Sequence, residues 1–286
     1  MIRYSTMAAR QQSKLATTPF HYYTFDDDTV WTEFHRSGDG YLLRFPDLAD
    51  FEVSADGKEV VAWPASEDDD ATVEHLYINQ MVPLALSRQG RPTFHASVVT
   101  VPGGVVAFLG QSGMGKSTLA ASFALNGSSF LSDDALLVEE TTSGCVVQPS
   151  HPSIRLWEDS VDELVDASSS NLIPISYSTK TRLLAGDALT YSAEPQRLLA
   201  AYVLESDDDA AKIAIRTLSG LDRHMAWVHN SFLLDIEDRD LLKQHFDWTH
   251  RISGAVPTFA LDYPRDYGIL PDVRTAVQQH VANPGI

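Results

Sequence analysis

The nine residues Gly110-Gln111-Ser112-Gly113-Met114-Gly115-Lys116-Ser117-Thr118 restrict this chain more than any other feature. They follow the apolar run GGVVAFL and precede LAASFALNG, so a strand, a tight loop and a helix succeed one another. The pattern G-x-x-x-x-G-K-[ST] is met by Gly110, Gly115, Lys116 and Ser117. Glycines let consecutive backbone N–H groups turn inward around an anion, in backbone shapes that side chains obstruct. The helix that follows adds its own N-terminal N–H groups and the positive end of its dipole. The expected ligand is the phosphate tail of a nucleotide. Lys116 places its charge between the β- and γ-phosphates, and Ser117 offers a hydroxyl to Mg²⁺. ATP and Mg²⁺ are therefore the expected cofactors, with 110–118 as the binding segment. The reading set against this one is a glycine-rich turn that holds nothing.

The motif does not fix the reaction, and the rest of the chain narrows it. No NKxD sequence occurs, which disfavours a GTPase. A net charge of −18 argues against a nucleic-acid surface, because phosphate backbones need clustered Lys and Arg. No run approaches the roughly 20 apolar residues that cross a bilayer, and the N-terminus shows no secretory h-region. Cys145 is the single cysteine, which excludes an intrachain disulfide framework and a multi-cysteine zinc site. These features point to the cytoplasm. Acidic runs at 26–28, 67–70 and 207–209 read as solvated turns.

The expected fold class is α/β. Residues 1–70 read as a small β-rich module of short strands, ending in a hairpin around Ala55-Asp56-Gly57. Residues 71–286 read as a mixed α/β catalytic domain. Pro83 is expected to divide a helix that closes on Gly90. TFHASVVTVPGGVVAFLG predicts a hairpin whose second arm delivers Gly110, with His95 on its first arm. Residues 165–195 are serine-rich and predict loops, and DRHMAWVHNSFLLDI predicts a helix. His224, His229, His245 and His250 form no metal signature and read as structural or exposed.

Phosphoryl transfer to a hydroxyl needs Mg²⁺, charge neutralisation and a group that takes the hydroxyl proton. Asp133 and Asp134 stand 17 and 18 residues after Lys116, a separation that lets the chain run up a helix and return beside the loop. Apolar neighbours on both sides argue against a plain solvated turn. His95, near the base of the loop, is placed to orient one carboxylate. Arg155, Lys180 and Arg182 are candidates to clamp the phosphates or the acceptor, and Arg265 in YPRDYG is a weaker one.

His95, then Lys116 inside GQSGMGKS, then Asp133-Asp134, resembles the catalytic core of bacterial HPr kinase/phosphorylase across 94–140. The resemblance implies a P-loop fold like that of phosphoenolpyruvate carboxykinase and transfer of phosphate to a serine hydroxyl. It also implies Asp134 as proton acceptor, His95 as its partner and Asp133 as a metal-side carboxylate. EHLYINQMVPLALSRQGRPTFHAS, HPSIRLWEDS, STKTR and TFALDYPRDYGILPDV resemble HPr-kinase-like proteins encoded beside ribosomal-peptide gene clusters, the lasso-peptide tailoring kinases among them. That likeness implies a precursor-peptide partner phosphorylated at or near its C-terminus, and a homo-oligomer as one possible assembly. It gives no expectation of nucleic-acid or membrane partners. The alternatives are a kinase of a small protein or small-molecule hydroxyl, and an ATP-sensing module with little turnover.

Overall fold

The structure, a computed structural model, describes residues 2–25, 27–67, 70–165, 172–174, 180–205 and 211–283. The acidic run 207–209, parts of those at 26–28 and 67–70, and residues 166–171 and 175–179 of the serine-rich stretch lie outside the described residues. The chain divides into two compact units, Met1–Arg91 with Phe232–His245 and Pro92–Ser231 with Phe246–Ile286.

The first unit holds six strands: β1 (Arg3–Thr6), β2 (His21–Thr24), β3 (Val30–Ser37), β4 (Gly40–Phe45), β5 (Ala49–Val53) and β6 (Glu59–Pro64). Their order is β1-β6-β5-β4-β3-β2, with β1 parallel to β6 and every other pair antiparallel. Phe34, Leu43, Phe51 and Ala62 are successive cross-strand neighbours, and all four are fully buried. Period-two alternation in four separate strands therefore produces one apolar row. The expected Asp-Gly hairpin joins β5 to β6. Gly57 has φ +69°, and a Cβ there would lie 2.4 Å from the Ala85 carbonyl oxygen, so the turn requires glycine twice over.

Two helices follow, α1 (Asp70–Leu76) and α2 (Val82–Arg88), separated by a π-helical turn at Tyr77–Met81. Pro83 falls in the first turn of α2, where a missing N–H costs nothing; the wide turn ahead of it absorbs the break. The sequence sets its boundary at residue 70, whereas this helical stretch clusters with the first unit. The cause is visible in its hydrogen bonds. Arg88 Nε donates to the Ala55 carbonyl at 2.8 Å and Gln89 Nε2 to the Gly57 carbonyl at 2.7 Å.

Asp235, returning late in the sequence, anchors the same unit. Its carboxylate is fully buried and accepts from Arg36, from the Tyr41 hydroxyl at 2.9 Å and from the Glu237 N–H at 3.0 Å. Burial alone would raise its pKa. The Arg36 guanidinium, the Tyr41 hydroxyl and the Glu237 N–H outweigh burial and hold the carboxyl below its ordinary 3.8. A depressed folded pKa contributes stability that is present above 3.8 and lost as pH falls through the folded value. Asp235→Ala is expected to lower stability by about 2–4 kcal/mol at pH 7. The gap to wild type should shrink in denaturant melts run below pH 3.8.

The second unit begins with β7 (Thr93–Phe94), β8 (Ala96–Val101), β9 (Gly104–Leu109), α3 (Lys116–Ala124), β10 (Phe130–Ser132), β11 (Leu136–Thr141) and β12 (Gly144–Gln148). It continues with β13 (Ser153–Trp157), α4 (Glu158–Leu164), β14 (Leu172–Pro174), β15 (Lys180–Leu184), β16 (Gln196–Leu204) and β17 (Ala214–Thr217). It ends with α5 (Gly220–His229), α6 (Arg239–Ala255, its first residues in the other unit), β18 (Thr258–Asp262) and α7 (Leu270–Ala282). One mixed sheet runs β10-β8-β9-β16-β12-β11-β7, with β18 on β16 and β17 on β18. β9, β16 and β18 are parallel neighbours. The run GVVAFL is apolar without alternation because both faces of β9 are buried. Val106 and Phe108 meet Leu119 and Phe123 of α3 on one face. Val105, Ala107 and Leu109 meet Trp227 and Ile252 on the other, in the cluster that also takes Cys145.

Two expectations change here. The serine-rich stretch expected as loops contains β14 and β15, which pair antiparallel with each other, and β15 pairs antiparallel with β13 on its other edge, in a small separate sheet. The helix expected through Ile236 stops at Asn230. Asp235 and Asp238 account for this, because their carboxylates accept downstream backbone N–H groups and Asp238 caps α6 at Asp240 and Leu241.

Candidate active site

The loop between β9 and α3 curls as its glycines demand. Gly110, Gly113 and Gly115 have φ of +146°, +84° and +82°, and Gly115 is the residue from which α3 starts. Lys116 folds back over the loop and donates from Nζ to the Gly110 carbonyl at 2.7 Å and to that of Gln111 at 2.8 Å. Burial lowers its pKa to about 8, against the charges of Asp134 and Asp133. The ammonium is thus held over the mouth of the loop, bonded only to neutral carbonyls that an anion can replace.

β10 ends at Ser132, and the acid pair occupies the turn before β11, with Asp134 left-handed at φ +65°. The two carboxylates have different surroundings. Asp133 lies behind the loop: Oδ1 accepts from Ser97 Oγ at 2.5 Å and from Ser117 Oγ at 2.9 Å, and Oδ2 from the Arg155 N–H at 2.9 Å. Burial, followed by the charge of Asp134, pushes its pKa up. Asp134 lines the cavity, with Oδ2 against Arg155 Nε and Oδ1 3.4 Å from His95 Nε2. Burial opposes ionisation there too, but the Arg155 guanidinium and the His95 ring hold the carboxyl well below the usual range. Where two buried carboxylates adjoin, the guanidinium decides which stays ionised.

His95 sits in a bend between β7 and β8 instead of on a hairpin arm, because β7 pairs with β11 while β8 pairs with β9. Its N–H donates to the Asn230 carbonyl at 2.6 Å, and its side chain keeps 33% of its surface open. Burial lowers its pKa; the hydrogen bond to Asp134 opposes this, and the charges of Lys116 and Arg155 act with burial.

These groups meet at one cavity of 360 Å³, lined by residues 112–118, His95, Asp134, Arg155 and Lys180 among others. Gly110, Gln111 and Asp133 lie outside its lining, at the loop's root and behind Ser117. Lys180 faces Trp157 across the β13–β15 pair, its Nζ 4.8 Å above the indole. Burial lowers its pKa, with the Arg155 charge acting in the same sense. Arg182 departs from expectation: it is buried outside the lining and donates to the His151 ring at 3.2 Å. Arg155 is in the cavity, but its side chain is bonded to Asp134.

No family model matches the chain, and no curated protein matches it. Among solved structures, the Hpr(Ser) kinase/phosphatase from Coxiella burnetii is similar at 13% identity and a TM-score of 0.36, over 68% of this chain and 99% of that one. No helix among the described residues is long and apolar enough to cross a membrane.

Two contributors, Ser97 and Asn230, carry no local signal in the sequence. Ser97, on β8 beside β10, donates to Asp133. Arg265, the weaker candidate cation, does line the cavity, and it ties the loop to the end of β16, donating to the Met114 carbonyl at 2.9 Å and to the Glu205 carbonyl at 2.5 Å. Asn230, at the end of α5, accepts the Gly110 N–H on Oδ1 at 2.9 Å while its own carbonyl holds His95. One residue thereby sets the loop root and the imidazole together. Asn230→Ala leaves a buried N–H unmet, a cost of about 1–3 kcal/mol. It should weaken triphosphate binding roughly tenfold in calorimetric titration if the loop carries that cost.

The donor set suits Mg²⁺. The ion prefers oxygen ligands and keeps several waters, and a hydroxyl and a carboxylate stand together at Ser117 and Asp133. No cage of three or more His, Cys, Asp or Glu occurs among the described residues.

Proposed function

We propose that this protein is an ATP- and Mg²⁺-dependent kinase that moves the γ-phosphate to the serine hydroxyl of a peptide. The observation that carries the reading is the meeting of Lys116, Ser117, Asp133, Asp134, His95 and Arg155 around one loop.

The residues divide the work by position. Loop amides 110–118 and Lys116 bind the β- and γ-phosphates, with the lysine exchanging its two carbonyl partners for phosphate oxygens. Ser117 and Asp133 hold Mg²⁺, which neutralises charge on the phosphates when bound. Asp134 receives the hydroxyl proton on a carboxylate oxygen as the acceptor O–P bond forms and the bond to the β-phosphate oxygen breaks, leaving ADP. Its low pKa fits a loose phosphoryl transition state, in which positioning and charge matter more than a strong base. His95 orients Asp134, and Arg155 keeps it ionised. The resemblance of the flanking sequence to lasso-peptide tailoring kinases extends the acceptor to a ribosomally made precursor peptide.

The test is transfer of label from γ-labelled ATP to serine-containing peptides in the presence of Mg²⁺. A phosphoserine product supports the reading. ATP bound without acceptor-dependent ADP release supports the sensor alternative and contradicts it.

A further inference from the structure

The cavity extends beyond the groups that handle phosphate. In a loop of this type the backbone and lysine hold the β- and γ-phosphates, and the first helical turn faces the α-phosphate. The nucleoside therefore leaves past Thr118. A connected set of side chains begins there. Thr118 Oγ1 is 3.0 Å from Ser160 Oγ, Ser160 Oγ is 2.9 Å from the Tyr267 hydroxyl, and that hydroxyl donates to Asp159 Oδ2 at 2.9 Å. Tyr267 also packs against the apolar cluster that includes Leu270 and Met114, and all of these residues line the cavity.

This end differs in chemistry from the other. His95, Lys116, Asp134 and Arg155 bring charge to bear on phosphate, whereas Tyr267, Met114 and Leu270 offer apolar surface beside Asp159; at the same end Asp266 accepts the Gly268 N–H at 2.7 Å and Arg265 is bonded to the Met114 and Glu205 carbonyls. Apolar ring surface next to a carboxylate acceptor suits a ring that stacks and donates from its edge. We infer that Tyr267 and Asp159 form the nucleobase subsite, taking a purine that stacks on the phenol ring and donates from an exocyclic amino group to the carboxylate. The inference rests on the phosphate-loop reading above. It adds a site for the base and names two residues that determine its affinity. The Tyr267–Asp159 hydrogen bond holds ring and acceptor in register, and the link through Ser160 ties both to Thr118.

Calorimetric titration of the full-length protein with Mg-ATP and, separately, with Mg-tripolyphosphate tests it. The wild type should bind ATP more tightly than tripolyphosphate. Tyr267→Ala should lose roughly tenfold in ATP affinity, the scale of one base–aromatic stack, and leave tripolyphosphate affinity within about twofold of wild type. Tyr267→Phe, which keeps the ring, should retain most of the ATP affinity. Unchanged ATP binding by Tyr267→Ala, or an equal loss for both ligands, overturns the base subsite while the phosphate site stands. Failure of the wild type to bind either ligand overturns the phosphate-loop reading and the subsite with it.

Discussion

Asp134→Asn should lower the rate of phosphate transfer to an alcohol acceptor by roughly 10²- to 10⁴-fold, the usual contribution of a positioned proton acceptor. The amide keeps the shape of the carboxylate and still accepts a hydrogen bond from Arg155 or His95, so the fold and cavity should persist. It cannot take a proton. Mg-ATP affinity should therefore stay close to wild type, and the loss should fall on kcat. A variant in which kcat holds and only KM rises would mean that Asp134 binds substrate without handling its proton. Steady-state kinetics at saturating Mg-ATP separates the two outcomes.

The second large effect is at Lys116. Lys116 is 5% exposed and its ammonium is bonded to two neutral carbonyls, so it occupies the place that a phosphate oxygen is expected to share. Lys116→Ala removes the positive charge that reaches the phosphates from within the loop and leaves the loop dipoles, Mg²⁺ and more distant cations to balance them. Transfer should fall by roughly 10³-fold, the order seen when one preorganised stabilising group is deleted. Triphosphate affinity should fall with it. Joint loss of binding and rate at Lys116, against loss of rate alone at Asp134, separates charge neutralisation from proton transfer. Equal binding by Lys116→Ala and wild type, measured with tripolyphosphate, would remove the lysine from the phosphate site.

Part of this site is legible in the sequence because part of it is local. The loop needs three glycines with positive φ, and its helix begins at the residue that supplies the ammonium, so nine consecutive letters carry the geometry. Asp133 and Asp134 are legible at one remove, since a nine-residue helix and a short return fix how far downstream they must stand. Asn230 is not legible: it meets Gly110 across 120 positions, and nothing in VHNSF marks that bond. Arg155 is recognisable as a useful cation, yet only the packing of β13 beside the acid pair shows that it serves Asp134. Arg182 lies two residues beyond Lys180 on β15, but only Lys180 lines the cavity while Arg182 turns to His151, and a stretch expected as loop offers no register from which to foresee that.

The fold follows the same rule. Strands with one buried face announce themselves by alternation, and the Asp-Gly turn by its glycine. β14 and β15 do not, because their serine-rich surroundings dilute a pattern only a few residues long. The end of α5 is hidden because Asp235 and Asp238 favour bonding to backbone N–H groups over continuing the apolar helical spacing of SFLLDI.

A crystal structure of the protein with Mg²⁺ and a non-hydrolysable ATP analogue tests the central claim most directly. The account predicts the triphosphate inside the curl of residues 110–118, Lys116 Nζ on β- and γ-oxygens, Mg²⁺ beside Ser117, and the terminal phosphate facing Asp134. An analogue seated elsewhere, or a terminal phosphate turned away from Asp134 and His95, would contradict it.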